Sequence, residues 1–177
     1  MFDVIVVGAG PIGLNTAIKV SEEGKSVLII EAENFLGGQL TRLYPEKEIV
    51  DIKGIPSIKA KDYIASLVSK VNNQDKIEVK LSEKVNEIKD HIVVTNKGQY
   101  EAKYIVITIG LGTTTPRPMG LEGEKECSNI LYSLQSLETL KNKEVLVLGG
   151  GDSALDWTKE ISNISDHVTL TDFCMCL

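Results

Sequence analysis

The segment that most constrains the fold is the first 31 residues, where an apolar β-rich run, a glycine-rich turn and a helical pattern follow one another. Within DVIVVGAGPIGL, Gly8, Gly10 and Gly13 fit the pattern G-x-G-x-x-G. Pro11 suits the first helical turn, because its missing N–H needs no partner there. The run SVLII then predicts a second buried strand, which ends before Glu31. A β-α-β unit of about 30 residues predicts a Rossmann-like parallel sheet.

Each glycine of this pattern has a physical role in binding a dinucleotide. The first allows a tight turn, the second lets the backbone approach a pyrophosphate, and the third lets helix and strand pack closely. The N–H groups and the dipole at the helix start favour the phosphate charge. A carboxylate at Glu31 would accept hydrogen bonds from a ribose diol and repel a 2′-phosphate.

The middle of the chain predicts further elements. A polar, glycine-rich stretch over residues 32–59 is long enough to indicate a functional loop. The spacing of apolar residues predicts a helix over 61–71. Short strand-like runs over 76–109 predict an antiparallel β-meander inserted before a final parallel strand at 104–109. A connector rich in Gly, Pro and Thr and a weak helix over 133–140 follow.

A second glycine pattern follows the strand-like run EVLVL. Gly149, Gly151 and Ala154 fit G-x-G-x-x-A, displaced by 141 residues from the first pattern without a gap. In the same register Glu31 falls on Asp172. Two nucleotide sites in one chain indicate electron transfer between two bound cofactors, most simply a flavin and a nicotinamide.

Composition excludes several classes of function. A net charge of −6 argues against a nucleic-acid or anionic-membrane binder, and no apolar run approaches the ~20 residues of a membrane span. The N-terminus lacks the basic region of a signal peptide. The three cysteines, at 127, 174 and 176, do not suggest a disulfide scaffold or a metal site, so we expect a cytoplasmic protein.

Four motifs together resemble one family: VVGAGPIGL, GGQLTRLYPEKEIVDIKGIP, VITIGLGTTTPRP and GGGDSALDW. Over about residues 2–170, the chain resembles the thioredoxin-reductase-like ferredoxin–NADP reductases, which are flavoproteins with two dinucleotide-binding domains. The resemblance implies FAD in the first unit, NADPH in the second, ferredoxin or a similar electron acceptor, and a homodimer. It implies an FAD-binding domain over 1–114, a connector over 115–142, and the start of an NAD(P)-binding domain over 143–177.

The resemblance also implies which residues line the two sites. For FAD they are Gly8, Gly10, Pro11, Gly13, Glu31, Gly38, Gln39, Tyr44, Val85, Gly110 and Thr114, and for the nicotinamide nucleotide they are Gly149, Gly151 and Ala154. Gln39 and Tyr44 would lie along the flavin, and Val85 would meet the adenine through its backbone. Thr114 stands where the family often has an aromatic or small residue. No catalytic side chain is predicted, because hydride transfer between nicotinamide and flavin needs no protein acid or base.

Thioredoxin reductases are the nearest alternative within this resemblance. They carry a C-x-x-C motif shortly before the second glycine pattern, whereas this chain has Cys127 alone in that region. A dithiol relay needs two sulfur atoms, so thioredoxin reduction is disfavoured.

The C-terminal segment leaves several interpretations open. The family follows V-T-L with a histidine and paired arginines that grip the 2′-phosphate of NADPH, whereas this chain continues from Leu170 as TDFCMCL. In one interpretation Asp172 is a ribose-binding acid that selects NADH. In another the reading frame is broken near residue 171, and the chain is a truncated, inactive nucleotide-binding remnant. In a third the chain assembles with a separately encoded second half.

Overall fold

The structure of the chain is a computed structural model that describes residues 1–112, 118–134 and 136–172. The chain divides into two compact units, Met1–Ser133 and Leu134–Leu177. The domain limits expected near residues 114 and 142 stay a prediction. No helix in the described ranges is long and apolar enough to cross a membrane.

Unit 1 is built on a six-stranded sheet with the order β5-β2-β1-β8-β7-β6. Its strands are β1 (Phe2–Val7), β2 (Val27–Ile30), β5 (Ile77–Lys80), β6 (Val85–Lys89), β7 (Ile92–Thr95) and β8 (Gln99–Ile107), with β3 (Glu48–Ile49) and β4 (Ile58–Lys59) pairing outside it. Its helices are α1 (Pro11–Glu22), α2 (Gln39–Arg42) and α3 (Ala60–Asn72). Strands β5, β2, β1 and β8 run parallel, which confirms the predicted Rossmann-like α/β fold.

Two apolar clusters lie on opposite faces of this sheet because β1 and β2 are buried on both sides. On one face, alternate residues of these strands pack against α1 and α3: Val4, Val6, Val27 and Ile29 meet Leu14, Ala17, Ile18, Ile64, Leu67 and Val71. On the other face Ile5, Val7, Leu28 and Ile30 pack against Val93 and Ala102 of the β-meander. Burial on both faces explains why these strands are continuous runs of Val, Ile and Leu.

Three details of unit 1 differ from the sequence-based expectation. First, β5 pairs in parallel with β2 and belongs to the Rossmann-like sheet, so the antiparallel meander comprises only β6, β7 and the start of β8. Second, β8 is one strand that pairs first with β7 and then with β1. It ends at Ile107, opposite Val7, because β1 is followed there by the glycine turn. Third, the expected loop over 32–59 contains α2, β3 and β4, which give some of its backbone groups partners.

Unit 2 repeats the start of the same plan. Strand β9 (Glu144–Leu148), helix α4 (Asp152–Ser162) and strand β10 (His167–Thr171) follow a 3₁₀ turn at Leu137–Leu140. The helix expected over 133–140 is reduced to that turn in the described residues. Strands β9 and β10 pair in parallel, as expected for a second Rossmann-like unit.

Candidate functional site

The first glycine turn joins the carboxyl end of β1 to the start of α1. A Cβ on Gly8, where φ is +100°, would lie 2.7 Å from the Thr108 carbonyl oxygen, and a Cβ on Gly13 would overlap the Gly8 carbonyl. A Cβ on Gly10 would meet nothing within 4 Å. Gly8 and Gly13 are therefore required by packing, whereas Gly10 faces the open space that a pyrophosphate would need.

Helix α1 begins at this open position without a side-chain cap. Gly10 is its N-cap residue in an extended conformation (φ −67°, ψ 178°), and Pro11 is its first residue, as predicted. The first turn contains no acidic side chain. Its N–H groups and the positive end of the helix dipole are therefore available to a phosphate group.

Glu31 directly follows β2 beside the glycine turn and is only 9% exposed. The Ala9 N–H donates to one carboxylate oxygen (Oε2) at 2.7 Å, and the Glu33 N–H donates to the other (Oε1) at 2.9 Å. Each oxygen retains a second lone pair for a ribose hydroxyl. The carboxylate thus also fixes the glycine turn, a role that the sequence pattern did not predict.

The segment after Glu31 folds back onto the same turn. The Gly37 N–H donates to the Ala9 carbonyl at 2.8 Å. Gly38 has φ +57°, and a Cβ there would lie 3.1 Å from the Gly10 Cα. Because only glycine allows both the conformation and this close approach, Gln39 and α2 begin directly beside the phosphate-facing glycine.

The loop that carries Tyr44 is attached to the start of α3 by an ionic cluster. Glu46 accepts hydrogen bonds from Lys61 Nζ at 2.7 Å and Lys59 Nζ at 3.0 Å. The Lys61 hydrogen bond, followed by that of Lys59, lowers the pKa of Glu46. The Tyr44 ring is half-buried, and Lys47 Nζ lies 5.6 Å from its centroid.

Two other predicted FAD-site residues, Val85 and Gly110, lie at or just beyond strand ends. Val85 starts β6, two residues after Glu83, whose N–H donates to the Glu31 carbonyl at 2.9 Å. Gly110 is exposed, has φ +56°, and follows the carboxyl end of β8. Thr114 lies outside the described residues.

The structure therefore brings together the glycines of the first turn, Glu31, Gly38 and Gln39 at the carboxyl ends of β1 and β2. Arg42 and Thr108 also contribute here, although the sequence motifs do not indicate either residue. Arg42 Nη1 pairs with Glu33 Oε1 at 2.9 Å and so connects α2 to the segment beside Glu31. The Thr108 hydroxyl donates to the Gly8 carbonyl at 2.8 Å. A polar residue directly after a parallel strand was the available signal for Thr108.

The second glycine turn has the same local geometry. Gly149 has φ +134°, and its N–H donates to the Thr171 carbonyl at 2.8 Å. Gly151 is the extended N-cap residue of α4 (φ −82°, ψ 173°), and a Cβ there would meet nothing within 4 Å. A Cβ on Gly149 would lie 3.6 Å from Cβ of Ala154, an ordinary packing distance. Gly151 is thus the phosphate-facing position of this turn.

Other kinds of site have less support in the described residues. They contain no group of three or more His, Cys, Asp or Glu side chains that could hold a metal ion. Cys127 is exposed and free of any disulfide. Cys174 and Cys176 lie outside the described residues.

A family model described as pyridine nucleotide-disulphide oxidoreductase matches residues 5–173. The chain belongs to this family. Proteins named ferredoxin–NADP reductase from Streptococcus thermophilus and Streptococcus mutans are 38% and 39% identical to it, each over 96% of this chain. These relatives confirm the resemblance found in the sequence. The alignments cover 53% and 52% of the relatives, so the chain spans about half the length of the curated relatives it matches.

Solved structures support the fold. The thioredoxin reductase of Lactococcus lactis (FR conformation) has a TM-score of 0.73 at 21% identity, covering 97% of this chain and 56% of that one. The T. acidophilum thioredoxin reductase has a TM-score of 0.72 at 25% identity, with 96% and 55% coverage. OTEMO in complex with FAD and NADP has a TM-score of 0.67 at 15% identity, with 96% and 38% coverage.

Proposed function

We infer that this chain is a flavin- and nicotinamide-binding portion of an oxidoreductase of the ferredoxin–NADP reductase type. In this proposal unit 1 binds FAD and unit 2 binds a nicotinamide dinucleotide, which the relatives' name gives as NADP. Electrons pass from that dinucleotide through the flavin to ferredoxin or a similar acceptor. The name of the relatives supports the assigned reaction, and the residues around the two glycine turns support the assigned cofactors.

The observation that carries the proposal is the arrangement around Gly10. An open glycine at an uncapped helix start lies beside a buried carboxylate and beside a second glycine, Gly38, that brings another backbone segment within van der Waals contact. Phosphate, ribose and a flat ring system joined in one ligand would meet the helix start, Glu31 and the Gly38–Gln39 segment in turn. A flavin mononucleotide, which has no adenosine, would leave Glu31 without a ribose to bind.

FAD, when bound, supplies the two-electron and one-electron chemistry that connects a hydride donor to a one-electron acceptor. The chain's residues hold and orient it. The N–H groups at the start of α1 would bind the pyrophosphate, and Glu31 would accept the ribose hydroxyls. Gln39 and Tyr44 would contact the ring system, and the Val85 backbone would contact the adenine. No side chain is assigned a proton-transfer role.

The thioredoxin-reductase alternative has less support. Two of the solved structures above bear that name, but identities of 21–25% indicate a shared fold and not a shared reaction. Cys127 is exposed and has no second thiol within C-x-x-C spacing in the sequence. The proposal therefore assigns electron transfer to an acceptor without a dithiol relay. We further propose a cytoplasmic homodimer, which gel filtration with light scattering would test.

The test of the proposed function is a flavin titration of the chain, followed by absorbance and fluorescence. We expect saturable binding of one FAD per chain and much weaker binding of FMN, which lacks the adenosine and the second phosphate. A folded chain that binds FAD no better than FMN would refute the proposed use of Glu31 and Gly10. Reduction of ferredoxin by the FAD-loaded chain with a nicotinamide donor would establish the acceptor, and reduction of a thioredoxin instead would favour the alternative.

A further inference from the structure

The two glycine turns match each other in their backbone hydrogen bonds and strand register. Val4 pairs with Val27 in unit 1, and Glu144 pairs with His167 in unit 2, so both strand pairs have a separation of 23 positions. The first glycine of each turn donates its N–H to the last residue of the second strand at 2.8 Å. Gly10 and Gly151, the N-cap residues of α1 and α4, also share an extended backbone conformation.

Glu31 and Asp172, which follow β2 and β10, also occupy matching positions. In unit 1 the Glu31 carboxylate contacts the backbone of Ala9, the residue after the first glycine. In unit 2 the Asp172 carboxylate lies against Gly150, the corresponding residue, so closely that a Cβ on Gly150 would overlap its Oδ2. Asp172 is exposed. Its carboxylate therefore lies beside the glycine turn, where a nucleotide in a Rossmann-like site places its adenosine ribose.

The basic residues of unit 2 are far from this end of the strands. Its sequence contains three lysines and no arginine. Lys141 and Lys143 precede the five-residue strand β9, at the end opposite to the glycine turn, a separation of about 16 Å at the usual rise per residue. Lys159 lies in the last turn of α4, away from its phosphate-facing start. None of these three lysines, all of which lie in the described part of unit 2, is therefore placed to balance a phosphate beside Asp172.

We propose that Asp172 makes unit 2 selective for a nicotinamide dinucleotide with a free ribose 2′-hydroxyl, that is NAD(H) in preference to NADP(H). A carboxylate accepts hydrogen bonds from a 2′,3′-diol but repels a 2′-phosphate, for which NADP-binding sites supply an arginine. The inference rests on the proposed function, in which unit 2 binds a nicotinamide dinucleotide. It departs from the NADP in the relatives' name, because the residues present here fit a different ribose.

The test is calorimetry on the full chain, with NAD⁺ and NADP⁺ as ligands, in the presence and absence of FAD. We expect NAD⁺ to bind at least tenfold more tightly than NADP⁺. Asp172→Asn should weaken NAD⁺, strengthen NADP⁺ and bring the two affinities within about threefold. Gly150→Ala should act in the same direction, because the added methyl group would occupy the position of the carboxylate. Asp166→Asn is the matched control: an exposed aspartate at the other end of β10.

Tighter binding of NADP⁺, equal binding of both ligands, or binding of neither would overturn the inference. So would an unchanged ratio of affinities in folded Asp172→Asn, with folding checked by circular dichroism. Binding of neither ligand would also contradict the nicotinamide site that the proposed function assigns to unit 2, whereas its flavin site fails by a different measurement, the absence of FAD binding in unit 1. Because the ratio of NAD⁺ to NADP⁺ affinity can be measured without FAD, the two failures are distinguishable.

Discussion

Replacement of Glu31 should weaken both the fold of unit 1 and its affinity for FAD. Glu31 is 9% exposed, and its carboxylate accepts backbone hydrogen bonds from Ala9 and Glu33 at 2.7 and 2.9 Å. Hydrogen bonds to a buried charged group contribute about 1.5–3 kcal/mol each. Glu31→Gln keeps one acceptor oxygen and loses the other, so we expect the free energy of unfolding to fall by about 1.5–3 kcal/mol. Glu31→Ala loses both acceptors and should destabilise the chain more.

Loss of the ribose contact adds a separate effect on ligand binding. The same range of about 1.5–3 kcal/mol for a charge-assisted bond corresponds to roughly 10–150-fold weaker FAD binding. FMN has no adenosine, so its affinity should change little. The ratio of FAD to FMN affinity therefore isolates the ribose contact from any general loosening of the turn.

The measurements are urea unfolding without ligand and flavin titration of the folded variants. Glu23→Ala is the control, because Glu23 is an exposed glutamate just after α1 and away from the turn. It should leave both quantities within about 0.5 kcal/mol of the wild type. Equal FAD affinities in the wild type and in both Glu31 variants would remove Glu31 from the ligand site. Unchanged stability would refute the structural role.

Four further substitutions test other parts of the structure. Gly10→Ala should leave the free energy of unfolding unchanged but weaken FAD binding at least tenfold. Gly13→Ala should lower the free energy of unfolding by about 2 kcal/mol, because its Cβ would overlap the Gly8 carbonyl. The reverse pattern in denaturation and flavin titration would exclude these two roles. Because the pKa of Glu46 is lowered in the folded chain, its ionised form stabilises the fold above about pH 4.3. This contribution is lost as the pH falls below that value. The free energies of unfolding of Glu46→Gln and the wild type should therefore differ at pH 7 and converge in acid. Cys127→Ser should leave acceptor reduction unchanged in a steady-state assay, and a large loss of rate would restore the dithiol alternative.

The parts of the fold that the sequence predicted are those with strong local patterns. The runs VIVV and VLII are buried on both faces. The spacing of the glycines correctly predicted the first residue of α1. The parallel pairing of β5 with β2 was not predictable in this way, because the run around Ile77 has the same alternation as the meander strands that follow it. Pairing direction depends on the connection through α3, and the periodicity of a short strand does not record it.

In the candidate site, too, the residues with a strong sequence pattern were predicted and the contacts made by irregular segments were not. The sequence predicted Gly10 and Glu31 at one end of the sheet because the carboxyl ends of parallel strands lie together. It did not predict that Gly37 and Gly38 fold back onto the turn, since that contact depends on a segment with little regular structure. It also missed the pair between Glu33 and Arg42, because two side chains nine residues apart in such a segment carry no periodic signal.

The segment from Glu31 to Arg42 explains why one carboxylate can serve both fold and ligand. It is attached to Ala9 at two points, by the Glu31 carboxylate at the Ala9 N–H and by the Gly37 N–H at the Ala9 carbonyl. The side chains of Glu33 and Arg42, each about 30% exposed, join its beginning to α2. With both polar groups of Ala9 held by this segment, the turn presents Gly10 without help from a ligand. A turn fixed in this way reduces the ordering that a dinucleotide would otherwise have to impose on binding, and the loss of stability expected for Glu31→Gln reports the contribution of one of the hydrogen bonds that hold it in place.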